Sequence, residues 1–326
     1  MNVPPRFLVS VRRYFPAGDR RLSHWHLVEC DLHGRTLVRW TDGPMDHLGF
    51  DFDTERRRVF CLATSRRDRH RPWEVRRYDR PGGRPTVLAR LPEGEFADGL
   101  SLSPDRRHIA VLGGWPDTFR ILDTESGRQR ASGKDAVSFR WIGVDTYETE
   151  SSASRTRIGR LGGLRPAPGA ADTSRAPFEI ETEYPDDDGI AVHHVVDAAG
   201  NRTRLTGDPL WNRCLAENII QGLELGEARP DGTWWIQTYP HRASSQVVGI
   251  LDPARAAVRF AFRSPGEHLI VEDTPWVLGW AMQRFTPLGD ILVEERPLHL
   301  LDRRHPGLWK RVWRNPHHVE QVTRIA

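Results

Sequence analysis

Gly99-Leu-Ser-Leu-Ser-Pro-Asp-Arg-Arg-His-Ile-Ala-Val-Leu112 alternates apolar and polar residues, turns at Ser-Pro-Asp, and enters a second apolar run. Period-two alternation fits a β-strand, and Pro and Asp favour the turn, so the stretch reads as two strands of an antiparallel sheet. The outline recurs as Gly49-Phe-Asp-Phe-Asp-Thr-Glu-Arg-Arg-Arg-Val-Phe-Cys-Leu62 and as Gly222-Leu-Glu-Leu-Gly-Glu-Ala-Arg-Pro-Asp-Gly-Thr-Trp-Trp235. Weaker copies stand at Ser138-Phe-Arg-Trp141 and Gly279-Trp-Ala-Met282.

A second piece follows most copies: an apolar strand ending in Asp, a short Gly- or Pro-containing turn, and another strand. Its aspartates are Asp31, Asp79, Asp123, Asp197, Asp252 and Asp302. Each is expected to accept hydrogen bonds from turn amides, a structural duty. Together the two pieces make a four-stranded antiparallel blade. Because such sheets are apolar on both faces, they must pack against neighbours in a closed circle.

The expected fold is therefore all-β, a six-bladed β-propeller filling residues 1–326 as one domain. The first blade begins at its second strand, near Phe7, and a strand-like segment from Val319 to Ile325 is left over after the last blade. That C-terminal strand is expected to complete the first blade. Residues 161–176, rich in Gly, Pro, Ala and Ser, break the repeat and read as a flexible surface insertion. Strands flank it on both sides, which leaves a seventh, irregular blade as the alternative.

Leu100-Ser-Leu-Ser-Pro-Asp-Arg-Arg-His-Ile-Ala-Val111 and Val195-Val-Asp-Ala-Ala-Gly-Asn-Arg-Thr-Arg-Leu-Thr206 resemble the repeats of TolB-like propellers. The resemblance is specific for fold, and Arg106 stands where that repeat carries a turn glycine. The family includes periplasmic partner-binding proteins, propeller domains of prolyl-oligopeptidase-type peptidases, and a lyase acting on oligogalacturonides. No secretory leader or appended hydrolase domain is readable here, so the resemblance implies a fold and does not choose among those functions.

Composition narrows the field. With 38% hydrophobic and 28% charged residues the chain is expected to bury an ordinary core. Its longest apolar runs fall far short of the ~20 residues of a membrane helix, so no membrane association is expected. The net charge is only +3 and arginines are spread along the whole chain, unlike the concentrated basic stripe of a nucleic-acid interface. Cys30, Cys61 and Cys214 lack metal-ligand spacing and read as buried thiols, and the cytoplasm is the expected compartment.

Neither a G-x-S-x-G elbow nor a phosphate-binding glycine loop occurs, and no organic cofactor is expected. What remains is position. The connections leading into the innermost strands carry Asp46 and His47, Asp98, Asp135, Glu217 and Asn218, Asp273, and His317 and His318. Propeller ligands gather where such connections converge on the axis. His47, Asp98 and His318 are the candidate acid–base groups there, with the pair His241-Arg242 from a neighbouring loop.

Asp46, Asp135, Glu217, Asn218 and Asp273 are candidate substrate contacts, and Trp276 is a candidate stacking surface for a flat ligand. Oxygen ligands of this kind suit a divalent metal, Ca²⁺ or Mn²⁺. The competing reading is that these acids cap turns. Functionally, the sequence points to a small-molecule site in an enzyme of lyase, hydrolase or cyclase type. The alternative is a non-catalytic scaffold for a protein partner.

Overall fold

The computed structural model describes residues 5–17, 20–41, 45–65, 72–115, 117–153, 155–161, 176–183, 191–217, 220–240, 246–264, 267–271, 274–280, 283–285, 291–294, 298–306, 309–311 and 318–325. Among these residues the fold is a β-propeller of seven blades, one more than the six hairpins imply.

Blade 1 contains β1 (Arg6–Ala17), β2 (Arg20–Asp31) and β3 (Thr36–Arg39). Blade 2 contains β4 (Met45–Asp53), β5 (Arg58–Ser65), β6 (Glu74–Tyr78) and β7 (Thr86–Arg90). Blade 3 contains β8 (Phe96–Leu102), β9 (His108–Trp115), β10 (Asp117–Asp123) and β11 (Gln129–Lys134). Blade 4 has three strands, β12 (Ser138–Trp141), β13 (Thr146–Glu150) and β14 (Thr156–Arg160). Blade 5 also has three, β15 (Phe178–Glu183), β16 (Val192–Asp197) and β17 (Arg202–Arg204).

A short β18 (Thr206–Gly207) and helix α1 (Pro209–Glu217) precede blade 6, which comprises β19 (Ile220–Ala228), β20 (Trp234–Pro240), β21 (Gln246–Asp252) and β22 (Ala257–Ser264). Blade 7 starts with β23 (Glu267–Ile270) and β24 (Trp276–Trp280), then adds the ribbon β25 (Gln283–Phe285) and β26 (Ile291–Glu294). It ends with β27 (His299–Asp302) and β28 (Trp309–Arg311). The last strand, β29 (His318–Arg324), pairs antiparallel with β1, Val9 opposite Val322 and Phe7 opposite Arg324. The expected C-terminal completion of blade 1 is thus present.

Residues 1–172 and 317–326 form one compact unit, holding blades 1–4, and residues 173–316 form a second, holding blades 5–7. Blades 4 and 5 are what the sequence reading merged into one. The hairpin rule could not separate them, because blade 4 lacks the Asp-turn hairpin that marks the other six.

Each core cluster sits between consecutive blades. In β5 the alternation splits the strand between two of them: Val59, Cys61 and Ala63 pack with Leu8, Leu27 and Trp40 of blade 1. Phe60 and Leu62 pack with Ile109, Val111 and Leu122 of blade 3. This is why the strand reads as one unbroken apolar run. Full burial of a side chain such as Phe60 contributes about 1.5–3 kcal/mol. Clusters around Phe119 and Phe139, around Trp211 and Val247, and around Phe262 and Val277 repeat the arrangement at later blade pairs.

Five of the six hairpin aspartates accept turn amides as expected. Asp31 takes the N–H of His33 and Arg35, Asp123 those of Glu125 and Ser126, and Asp197 those of Ala199 and Asn201. Asp252 takes Ala254 N–H and Asp302 takes Arg304 N–H. Asp79 differs because Pro81 occupies the donor position two residues on and has no N–H. Its carboxylate pairs with Arg58 and Arg77 instead, at 3.0 Å each. Among the described residues no helix is long and apolar enough to cross a membrane.

Candidate functional site

The inner strands are β29, β4, β8 and β12 in the first unit and β19 and β23 in the second. Their pairing with the next strand shows a shared irregularity. In β8, Ala97 faces Gly113 and Gly99 faces Leu112, so Asp98 is an extra, unpaired residue. In β4 two residues, Leu48 and Gly49, stand between the pairs His47 with Ala63 and Phe50 with Cys61. In β19 the extra residue is Gln221, and in β29 it is Glu320. Four inner strands thus carry a β-bulge close to their leading ends. The repeated sequence signal is a residue followed by Gly and an apolar–polar–apolar triplet, as in Asp98-Gly99-Leu-Ser-Leu102.

Just beyond the bulges, each inner strand of the first unit is tied to the next. Gln321 bonds to both backbone groups of Phe50, at 3.3 and 3.1 Å. Asp51 accepts the N–H of Leu102 at 2.8 Å, and Trp141 Nε1 donates to the Ser101 carbonyl at 3.1 Å. Burial pushes the Asp51 carboxyl up from its ordinary value, opposed by the N–H groups of Leu102 and Phe52. Inter-strand ties of this kind hold β29, β4, β8 and β12 as neighbours.

His318 is the first residue of β29, Asp46 and His47 lie in β4, and Asp98 lies in β8. The side chains of these four lie outside the described residues. Asp135, just before β12, is described with its side chain. It has φ 55°, and its carboxylate accepts Ser152 N–H and Oγ–H at 3.3 and 3.0 Å and pairs with Arg157 at 3.5 Å. It staples a turn of its own blade.

Glu217 is the last residue of α1, and only its backbone is described; Asn218 lies outside the described residues. The helix itself was missed, although Asp208-Pro209 signals it. Asp208 caps it by accepting Trp211 N–H at 2.8 Å, and Pro209 fits the first turn, where an N–H is not needed. His241 and Arg242 also lie outside the described residues, between β20 and β21 at the leading end of blade 6.

Trp276 is displaced because β23, and not the strand it opens, is the inner strand of blade 7. Asp273, which follows β23 in the sequence, lies outside the described residues. Trp276 opens β24 opposite Asp302, at the far end of the blade from the leading ends. It therefore does not join the other candidates.

A cavity of about 210 Å³ opens beside β19, β20 and β23, lined by Glu224, Glu227, Gln237 and His268 among others. Gln237 donates to Glu224 there at 2.6 Å. Among the described residues no three His, Cys, Asp or Glu side chains converge as a metal set.

The sequence matches no family model and no curated protein. Among solved structures, the chain is similar to the β-propeller domain of the Trilobed protease from Pyrococcus furiosus, a domain described as having an open velcro topology. Identity is 11%, coverage 94% of this chain and 92% of that one, and the TM-score 0.53. The fold is that of a β-propeller. TolB from Acinetobacter baumannii is 13% identical over 98% of this chain and 66% of that one, with a TM-score of 0.49. Oligogalacturonate lyase from Vibrio parahaemolyticus is 12% identical over 93% and 78%, with a TM-score of 0.39. The resemblance to TolB-like propellers is one of fold.

Proposed function

We propose that this chain is a small-molecule-binding β-propeller that holds a polar ligand at the leading ends of its inner strands, with His47, Asp98 and His318 acting on it. One observation carries the reading: β29, β4, β8 and β19 each insert an extra residue close to the leading end. The adjoining pairs β5–β6, β9–β10 and β20–β21 run without a shift. Bulges concentrate where a sheet re-aims side chains beside a site.

Histidines beside a carboxylate suit proton transfer near neutral pH, the requirement of a lyase, hydrolase or cyclase. The same groups, with Asp46, would offer a divalent cation such as Ca²⁺ or Mn²⁺ oxygen and imidazole ligands. Cys30, Cys61 and Cys214 are buried thiols outside any disulfide, in keeping with a cytoplasmic protein. A second reading, a non-catalytic protein-interaction scaffold, draws on Leu37 and Val87, apolar side chains 44% and 38% exposed on the outer strands β3 and β7.

The test is a thermal-shift screen of CaCl₂, MnCl₂ and a panel of polar metabolites on wild type, Asp98→Asn and His318→Gln, with elemental analysis of the purified protein. The expected result is at least one ligand that stabilises wild type and has lost its effect on both variants. Identical behaviour of all three proteins would overturn the site and favour the scaffold.

A further inference from the structure

The cavity of about 210 Å³ beside β19, β20 and β23 opens between blades 6 and 7 of the second unit. An apolar protein cavity of ~150 Å³ takes up benzene, so this one has room for a single ring with a short substituent. Its walls combine apolar surface, from Val248 on β21 and Ile270 on β23, with a few polar groups. That mixture is the usual make-up of a small-molecule site.

The chemistry of the polar wall selects the ligand. Glu224 and Glu227, both on β19, are exposed where they line the cavity. Gln237 Nε2 donates to Glu224 Oε2 at 2.6 Å, which holds the carboxylate in one orientation. A side-chain amide carries no charge, so the bond orients Glu224 without neutralising it. Glu224 makes no other hydrogen bond and no ion pair with the described residues, and Glu227 makes neither. A carboxylate held in this way, with one oxygen open, accepts charge-assisted hydrogen bonds from a cationic N–H donor.

A bare ion is the poorer fit. Glu224, Glu227 and His268, which lines the cavity from β23, do not converge as a metal set. An occupant that meets both the carboxylates of blade 6 and the apolar surface of blade 7 has to be a molecule several atoms long. We infer that the cavity binds a small organic amine. Its ammonium group rests on Glu224, with Glu227 adding to the negative potential, and its apolar body of one ring lies against Val248 and Ile270. The site is independent of His47, Asp98 and His318, which belong to the first unit.

The test is calorimetric titration of the full chain at low ionic strength with 2-phenylethylamine. Three further probes dissect it: 2-phenylethanol, neutral and of the same shape; methylamine, which lacks the body; and MgCl₂. The amine should bind about tenfold or more tightly than either the alcohol or methylamine, the scale of one charge-assisted hydrogen bond or of the buried ring. MgCl₂ should not displace it at matched ionic strength. Glu224→Gln keeps an oxygen for Gln237 to bond, so the melting temperature without amine should be unchanged while amine binding weakens about tenfold. Glu93→Gln, at an exposed position in the first unit, should bind like wild type. The inference fails if 2-phenylethylamine does not bind, if the alcohol or methylamine binds as tightly, or if MgCl₂ displaces it. It fails equally if Glu224→Gln binds the amine like wild type or if Glu93→Gln weakens binding to the same extent.

Discussion

The side-chain amide of Gln321 accepts the backbone N–H of Phe50 at 3.3 Å and donates to the Phe50 carbonyl at 3.1 Å. A side chain of the C-terminal strand thereby bonds both backbone groups of the residue that follows the bulge in blade 2, 271 positions away. Gln321→Ala leaves two partly buried backbone groups without these partners and is expected to cost about 1–3 kcal/mol in urea unfolding. A chain ending at Pro316 loses all of β29 and should lose cooperative unfolding near the wild-type midpoint. If it melts like the full chain, the clasp contributes nothing.

Arg106 has φ 61° in the turn between β8 and β9, where a left-handed backbone costs a side-chain-bearing residue roughly 1–2 kcal/mol. Arg106→Gly is expected to stabilise by about 0.5–1 kcal/mol, the remainder being offset by the greater freedom of glycine in the unfolded chain. Arg57 has φ 51° in the corresponding turn of blade 2 but pairs with the fully buried Glu29 carboxylate at 3.1 Å. Arg57→Gly should therefore show no such gain. Denaturant midpoints of the two variants, measured side by side, decide it.

The hairpin carboxylates make stability depend on acid. The N–H of Ser126, followed by the Arg130 guanidinium, holds Asp123 well below the ordinary carboxylate range, and the Arg304 side chain holds Asp302 at about 2. Folded values below the unfolded value of about 3.9 mean a contribution present above roughly pH 4 and lost as pH falls through the folded values. The melting temperatures of wild type and Asp302→Asn should therefore converge between pH 5 and pH 2. A constant gap would show that the charge is not what stabilises the turn.

Gly249 in β21 lies under the indole of Trp211. A Cβ at that position would stand 2.6 Å from Val258 Cγ1 and 2.8 Å from the Trp211 ring. Gly249→Ala should destabilise by about 1–3 kcal/mol, the usual cost of overpacking. Tryptophan fluorescence during unfolding reports it directly, and a neutral substitution would mean that α1 can shift without loss.

Blades with both sequence pieces were legible because alternation and turn chemistry are local. The six Asp-turn hairpins and the Val319–Ile325 clasp came from that logic. Blade 4 escaped it: Ser138–Trp141, Thr146–Glu150 and Thr156–Arg160 are short, and no Asp-turn follows them. Overlooking β23 as the first strand of blade 7 put Trp276 at the wrong end of its sheet. Asp135 looked like a ligand because no sequence pattern announces that Ser152 and Arg157 will consume its carboxylate.

The pairing of β29 with β1 also imposes an order on synthesis. The edge of β1 that receives Val319 and Val322 is made early and waits while six further blades are translated. An apolar strand edge left open that long is the kind of surface on which nascent chains pair with one another. Shielding of Phe7 to Val11 until β29 arrives therefore bears on the yield of folded protein.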